Sequence, residues 1–140
     1  MRVVAQLEGL DAFKIFENMR TALAKTMVSS GNLDPNKTKV KRFEDGSFEW
    51  IFEFPDEQKA KAYYNWLNET VTALKDFFGF SKVEQRNIKG IPVTIVMIPT
   101  LTGREEFPAA FWAKGNKLYW LESGHNPEAF EELLFSELSS

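Results

Sequence analysis

The chain of 140 residues contains no cysteine and a single histidine. The absence of cysteine excludes disulfide bonds, thiolate metal sites and cysteine nucleophiles. The histidine, His125, has no acidic cluster at metal-ligand spacing around it, and we interpret it as a loop residue ahead of a helix cap. We therefore expect no metal site, no cofactor and no histidine-based triad, and we favour a non-enzymatic role over an enzymatic one.

Positive charge and long apolar runs are also scarce. Lysine and arginine number 17 against 20 aspartates and glutamates, a net charge of -3, whereas nucleic-acid-binding proteins usually carry a basic excess. We interpret the lysines of segment 37–42 as those of an exposed or edge strand. No apolar run reaches the length of a membrane span, and the first thirteen residues lack a signal-type apolar stretch. We expect no nucleic-acid partner, no membrane association and a cytoplasmic location.

Aromatic residues, in contrast, are abundant at 14%, within a hydrophobic content of 44%. This composition is typical of a globular domain, and a chain of this length forms one domain, expected here to span residues 1–140. The segment Phe48–Phe54 reads FEWIFEF and alternates aromatic residues with Glu49, Ile51 and Glu53. Alternation of this kind predicts a strand half-buried on a core rather than a platform of exposed rings.

Hydrophobic periodicity predicts an α+β domain in which three helices pack on an antiparallel sheet of about six strands, in the order (β)-α-ββ-α-ββ-ββ-α. We expect the helices at about 11–29, 56–78 and 127–138, with Asp11, Asp56 and Asn126 as their caps. The hairpins are expected within 38–54, 82–98 and 109–122. Residues 2–7 form either a short first strand or the lead-in to the first helix.

The Asp45-Gly46 turn permits two strand registers. A two-residue turn pairs Lys41 with Trp50, which leaves the sheet partly open to water near Trp50. A three-residue turn with a glycine bulge pairs Val40 with Trp50 and Lys41 with Glu49 instead, which covers the rings. We favour the first register because it also matches Val40 with Ile51.

Several later strands are apolar on both faces. In the last hairpin, a two-residue turn at Gly115-Asn116 pairs Phe111 with Trp120 and Trp112 with Tyr119, on opposite faces. Strands of this kind are covered on both sides. Either the helices divide between the two faces, or all of them pack on one face and the other face meets a second subunit.

The second predicted helix carries a minor stripe of Trp66, Thr70, Ala73 and Phe77 outside its main apolar face. These residues either cover the edge of the core or form a contact with a partner. A symmetric dimer is the simplest assembly for such a contact. We therefore expect a homodimer with Trp66, Phe77, Trp112 and Tyr119 at its interface.

The loop spanning residues 99–107 is the longest connection between predicted strands and contains Thr102, Arg104 and Glu105. Arginine binds carboxylates and phosphates, and long loops are enriched in function. Together with Trp50, these three residues form our candidate ligand-binding set.

The leading hypothesis is thus a non-enzymatic binding or protein-interaction domain that forms a homodimer through aromatic-rich surface. The alternative is a small-molecule-binding domain or modest enzyme with a pocket beside the 99–107 loop. A purely structural role is the third hypothesis, which the lack of catalytic groups permits.

Overall fold

The structure, a computed structural model, describes all 140 residues and contains one seven-stranded antiparallel sheet flanked by four helices. The strands are β1 (Val3–Glu8), β2 (Thr38–Phe43), β3 (Phe48–Glu53), β4 (Lys82–Ile88), β5 (Ile91–Pro99), β6 (Glu106–Lys114) and β7 (Lys117–Glu122). The helices are α1 (Leu10–Met19), α2 (Thr21–Ser29), α3 (Glu57–Ala73) and α4 (Phe130–Leu138). The strand order across the sheet is β1-β2-β3-β7-β6-β5-β4, so β1 and β4 are its two edges.

The predicted α+β class and antiparallel sheet are confirmed, and residues 3–8 are indeed a strand. The single helix predicted over 11–29 is wrong, because Arg20 leaves the helical region at φ -132° and ψ 61° and divides it into α1 and α2. The side chain of Arg20 reaches Glu122 on β7, a long-range contact that local periodicity does not reveal. The Asp11 cap is also wrong, since α1 begins at Leu10 and Gly9 stands at the cap with a φ of 76° that glycine tolerates.

The other helix ends agree only in part. The side chain of Asp56 caps α3 as predicted, accepting the backbone N–H of Lys59 at 2.8 Å. However, α3 ends at Ala73, so Phe77 lies in the turn beyond it rather than on the helix. The Asn126 cap is wrong: its side chain makes no capping bond, and a 3-10 turn over Pro127–Ala129 precedes α4.

The favoured register of the first hairpin is wrong, and the bulged alternative is correct: Val40 pairs with Trp50 and Lys41 with Glu49. The turn packs against the chain that follows β7, where the N–H of His125 donates to Asp45 O at 3.0 Å and the N–H of Gly124 donates to Ser47 Oγ at 2.9 Å. These distant contacts select the wider turn. The sheet is consequently sealed at Trp50.

The last hairpin has the predicted register. Phe111 pairs with Trp120 and Trp112 with Tyr119, and their rings stack at centroid distances of 5.4 Å and 5.2 Å. Because the two pairs point to opposite faces, each layer of the core receives one of them. The ring of Phe111 belongs to the larger core and that of Trp112 to the smaller one.

The helices divide between the faces, which was one of the two predicted arrangements. On the first face, α1, α2 and α3 cover the larger core, which we call the first core; the smaller one is the second core. In the first core, the ring of Phe16 lies 5.1 to 5.7 Å from those of Trp50, Phe52 and Trp120. On the second face, α4 alone packs on the sheet, through Phe130, Leu133, Leu134 and Leu138. Length and apolarity together leave none of the four helices able to cross a membrane.

Candidate functional site

The four predicted ligand-binding residues do not come together. Trp50 is buried in the first core, where its Nε1 donates to the backbone oxygen of Ala12 at 3.2 Å. Thr102, Arg104 and Glu105 lie on the exposed tip of the loop, where the hydroxyl of Thr102 forms hydrogen bonds with Thr100 Oγ1 and the backbone N–H of Arg104. The loop tip therefore offers no enclosed site.

A cleft that borders that loop lies on the second face, between β4, β5, β6 and the N-terminal end of α4. Its volume is about 330 Å³, and Ile95, Met97 and Phe130 supply its apolar walls. The rim is charged and partly paired internally, with Arg86 at 2.6 Å from Glu84 and 3.1 Å from Glu131. The hydrogen bond from Arg86 holds the pKa of Glu84 below its usual value. Glu106 and Pro108 border the cleft at the end of the loop.

The four predicted interface residues lie in different places. Trp66 is half-buried against the ring of Tyr63 at 5.2 Å and packs on the first core. Phe77 is 68% exposed. Trp112 is fully buried in the second core, and the half-buried Tyr119 stacks on it. The set therefore does not form one continuous surface on the chain.

Sequence reasoning did not identify one exposed apolar region, the edge strand β1. Val4 and Leu7 are 49% and 47% exposed, and no strand lies on the outer side of β1. An open groove of about 230 Å³ runs beside it, with Ala5, Leu7, Ile15, Val40 and Phe48 as its apolar lining. The signal in the sequence is the uncharged run VVAQL between Arg2 and Glu8, which was ambiguous between a strand and a lead-in.

The hydrogen bonds of β1 show which backbone groups point outward. The N–H of Gly9 donates to Thr38 O at 2.7 Å, and alternate residues of an antiparallel strand bond to the same neighbour. Leu7 and Ala5 therefore bond toward β2, and the N–H and C=O groups of Gln6 and Glu8 point away from the sheet. Because the register shifts between Val3 and Ala5, this alternation applies from Ala5 onward.

The opposite edge is built differently. Strand β4 carries Lys82, Glu84 and Arg86 on one face, and all three take part in ion pairs. Charged side chains on an edge strand are a common protection against pairing with another chain. On β1, the charges are confined to Arg2, just before the strand, and Glu8, at its end.

Two glutamates are buried, one on each face of the sheet. Glu122 accepts two bonds from Arg20, at 2.9 and 3.0 Å, and one from Trp120 Nε1 at 3.1 Å. Neither oxygen of Glu49 receives a hydrogen bond from a backbone or side-chain donor, and the nearest cation, Lys41 Nζ, is 3.9 Å away. Burial, and then the carboxyl of Glu137 facing it, raise the pKa of Glu49 to about 9.

In comparisons with known proteins, no protein-family model, curated protein or solved structure matches this chain. No three acidic or histidine side chains lie close enough to hold a metal ion. The exposed strand β1 and the groove beside it are therefore the candidate functional site.

Proposed function

We propose that this chain is a non-enzymatic protein-interaction domain and that it forms a homodimer by antiparallel pairing of the β1 strands of two copies. The observation that carries the proposal is the exposed edge strand β1, uncharged from Val3 to Leu7, beside an open apolar groove. Unpaired edges of this kind are templates for strand addition. A homodimer was predicted from aromatic residues, and the proposal moves its interface to β1.

The outward-pointing groups define the register of the proposed pair. Two β1 strands can form hydrogen bonds across the two-fold axis only where the backbone N–H and C=O groups of both strands point outward. This condition is met when Gln6 faces Gln6 of the second copy. Ala5 then lies opposite Leu7 of the second copy on the groove side. Glu8 lies opposite Val4, so that the two acidic side chains are kept apart. The apolar side chains of both copies thus meet above the two grooves.

The test removes one outward donor at each edge of the sheet. Gln6→Pro deletes an N–H that points away from β2, so the β1–β2 ladder is retained. We expect wild type to have twice the mass of one chain in size-exclusion chromatography with light scattering. The Gln6→Pro dimer should dissociate into monomers at protein concentrations at least about tenfold higher than the wild-type dimer does, since a loss of about 1.4 kcal/mol weakens binding tenfold.

Asn87→Pro on β4 is the matched control. Asn87 pairs with Pro92, which has no N–H to give, so the backbone of Asn87 also points away from the sheet. This variant should remain dimeric. A wild-type chain that is monomeric at high concentration, or equal dissociation of both variants, would contradict the proposal.

A second candidate function is the binding of a small, largely apolar molecule in the cleft on the second face. The observation that favours it is the wall of Ile95, Met97 and Phe130 within about 330 Å³, which borders the predicted loop at Glu106. A thermal-shift screen with apolar carboxylic acids and nucleotides tests it. A ligand that raises the melting temperature of wild type but not of Met97→Trp, which fills the cleft, would support it.

A further inference from the structure

A second cleft lies on the first face of the sheet and is bounded by three segments of the chain. They are the connection that follows α2, the connection between β3 and α3, and the N-terminal part of α3. The volume of this cleft is about 420 Å³, against about 330 Å³ for the cleft on the second face. No residue that lines it belongs to β1 or to the groove beside β1, so ligand binding here is independent of the proposed dimer.

Three aromatic rings in contact form the apolar wall of this cleft. The ring centroid of Tyr63 lies 5.0 Å from that of Phe54 and 5.2 Å from that of Trp66. Phe54 and Tyr63 are almost fully buried, whereas Trp66 is half-buried, so part of its ring is open to the cleft. Aromatic rings prefer to pair with other rings in offset-stacked or edge-to-face arrangements. The wall therefore suits a ligand that is itself a planar ring.

The only charged side chain that lines the cleft is that of Lys59. The carboxylate of Asp56 caps α3 and accepts the backbone N–H of Lys59 at 2.8 Å. Glu57 pairs with Lys61, at 3.2 Å, rather than with Lys59. Tyr63 adds no negative charge, because its hydroxyl donates to a backbone oxygen of α2 at 2.8 Å and burial raises its pKa. In a chain with a net charge of -3, the cleft thus presents one cation and no anion.

The connection after α2 supplies the polar side of the cleft. Asn32 is exposed there, and its side-chain amide is a hydrogen-bond donor. Gly31 has no atom within 4 Å of the position that a Cβ would occupy, so this side of the cleft is unobstructed. An ammonium group and an amide N–H are suitable donors to a carboxylate.

We propose that this cleft binds a small aromatic carboxylate, whose ring stacks on Trp66 and whose carboxylate faces Lys59. Charge complementarity selects the carboxylate, since the cleft holds donors and no acidic side chain that would repel an anion. Pockets for small molecules have volumes of about 300 to 1,000 Å³. At about 420 Å³, the cleft suits a molecule of one or two rings.

Isothermal titration calorimetry with 2-naphthoate tests the proposal, and the uncharged 2-naphthamide is the matched probe. About 0.1 M salt screens charges that lie more than about 10 Å away. We expect Lys59→Met to weaken the binding of 2-naphthoate about two- to fivefold, as for an exposed ion pair, and to leave that of 2-naphthamide unchanged. Lys61→Met removes the same charge from the same turn of α3 but lies outside the cleft, and it should bind both probes as wild type does.

A second variant fills the cleft without removing any contact of the fold. Ala62 is exposed on α3, and Ala62→Trp should weaken the binding of both probes at least about tenfold. Ala73→Trp is its control, because Ala73 is also exposed on α3 but lies outside the cleft. Met97→Trp, which fills the cleft on the second face, should bind 2-naphthoate as wild type does, so the two clefts are distinguished.

The indole N–H signals in a nitrogen-15 NMR spectrum locate the bound probe. The chain has four tryptophans, and all except Trp66 are fully buried. The signal that is missing in Trp66→Phe is that of Trp66, and 2-naphthoate should shift it more than the other three. An unshifted Trp66 signal, or equal weakening by Lys59→Met and Lys61→Met, would overturn the proposal. A wild type that does not bind 2-naphthoate, with loss of the dimer in Ala62→Trp, would assign the cleft to a second copy instead.

Discussion

The two buried glutamates of this chain differ in their surroundings although each is almost fully excluded from water. Glu122, 2% exposed, lies on the first face and receives three hydrogen bonds, two of them from the guanidinium of Arg20. Glu49, 1% exposed, lies on the second face, and neither of its carboxyl oxygens receives a hydrogen bond. Arg20 compensates the charge of Glu122, whereas burial disfavours a charge on Glu49.

This difference reflects how the two layers are held. A buried carboxylate with a bidentate arginine fixes the relative position of the groups around it, because loss of either partner leaves an unpaired charge. Arg20 stands at the break between α1 and α2, so the pair attaches both helices to β7. A buried carboxyl that depends on one proton fixes its layer only while that proton is present. The first face is thus rigidly specified, and the second is conditional.

The largest expected effect is that of Arg20→Met, which retains apolar bulk and removes the partner of Glu122. Breaking a largely buried pair on one side leaves a buried charge, and we expect a loss of about 3 kcal/mol in the free energy of unfolding. Urea denaturation at pH 7 measures it. Arg86→Met is the control, because its pairs with Glu84 and Glu131 are exposed and should contribute less than about 1 kcal/mol. Equal losses in the two variants would contradict the distinction between the layers.

Replacement of each buried glutamate by glutamine should act in opposite directions on the two faces. Glu122→Gln weakens the bonds from Arg20 and should destabilise the fold. Glu49→Gln removes a group that must stay protonated and should stabilise it by about 1 to 2 kcal/mol at pH 8. Denaturation midpoints of both variants at constant ionic strength give the sign.

The pH dependence of the Glu49 effect has a definite sign. Burial raises the folded-state pKa of Glu49 to about 9, whereas an unfolded glutamate titrates near about 4.3. Between these values the folded chain holds one more proton than the unfolded chain, so its contribution to stability is complete below about pH 4.3 and is lost as the pH rises to about 9. The advantage of Glu49→Gln should therefore grow from pH 5 to pH 9. An advantage that is constant with pH would show that Glu49 does not titrate in this window.

The antiparallel sheet could be predicted from the sequence, because the contacts that form a hairpin are local. The Gly115-Asn116 turn and the alternation of the flanking strands were sufficient to pair Trp112 with Tyr119 correctly. The first hairpin was not determined locally, because two turns fit Asp45-Gly46. The contacts of Asp45 and Ser47 with residues 124 and 125 select between them.

That single residue of register also decides the chemistry of the second face. In the favoured two-residue turn, Lys41 pairs with Trp50, whereas in the observed turn it pairs with Glu49. Arg20 and Glu122 are 102 positions apart in the sequence, and Glu137, which raises the pKa of Glu49, is also distant from it in the sequence. No periodicity or turn signal encodes such contacts, so both buried glutamates could be identified only from the fold. The open edge at β1 was visible in the run VVAQL, but only the strand order shows that no neighbour covers it.

The smallest expected effect concerns the attachment of α4 at its C-terminal end. Lys114 Nζ donates to the backbone oxygens of Leu138 and Ser140 at 2.9 and 2.8 Å, which ties the end of α4 to β6. Lys114→Ala should lower the protection of segment 130–138 against hydrogen exchange about two- to fivefold, which corresponds to about 0.5 to 1 kcal/mol. The urea concentration at which the first layer unfolds should not change. Lys117→Ala, on the neighbouring strand across the same turn, is the control and should leave α4 unchanged. If Lys114→Ala lowered the protection of α3 as strongly as that of α4, the two layers would open as one unit, and the contrast between the compensated and the conditional face would not hold.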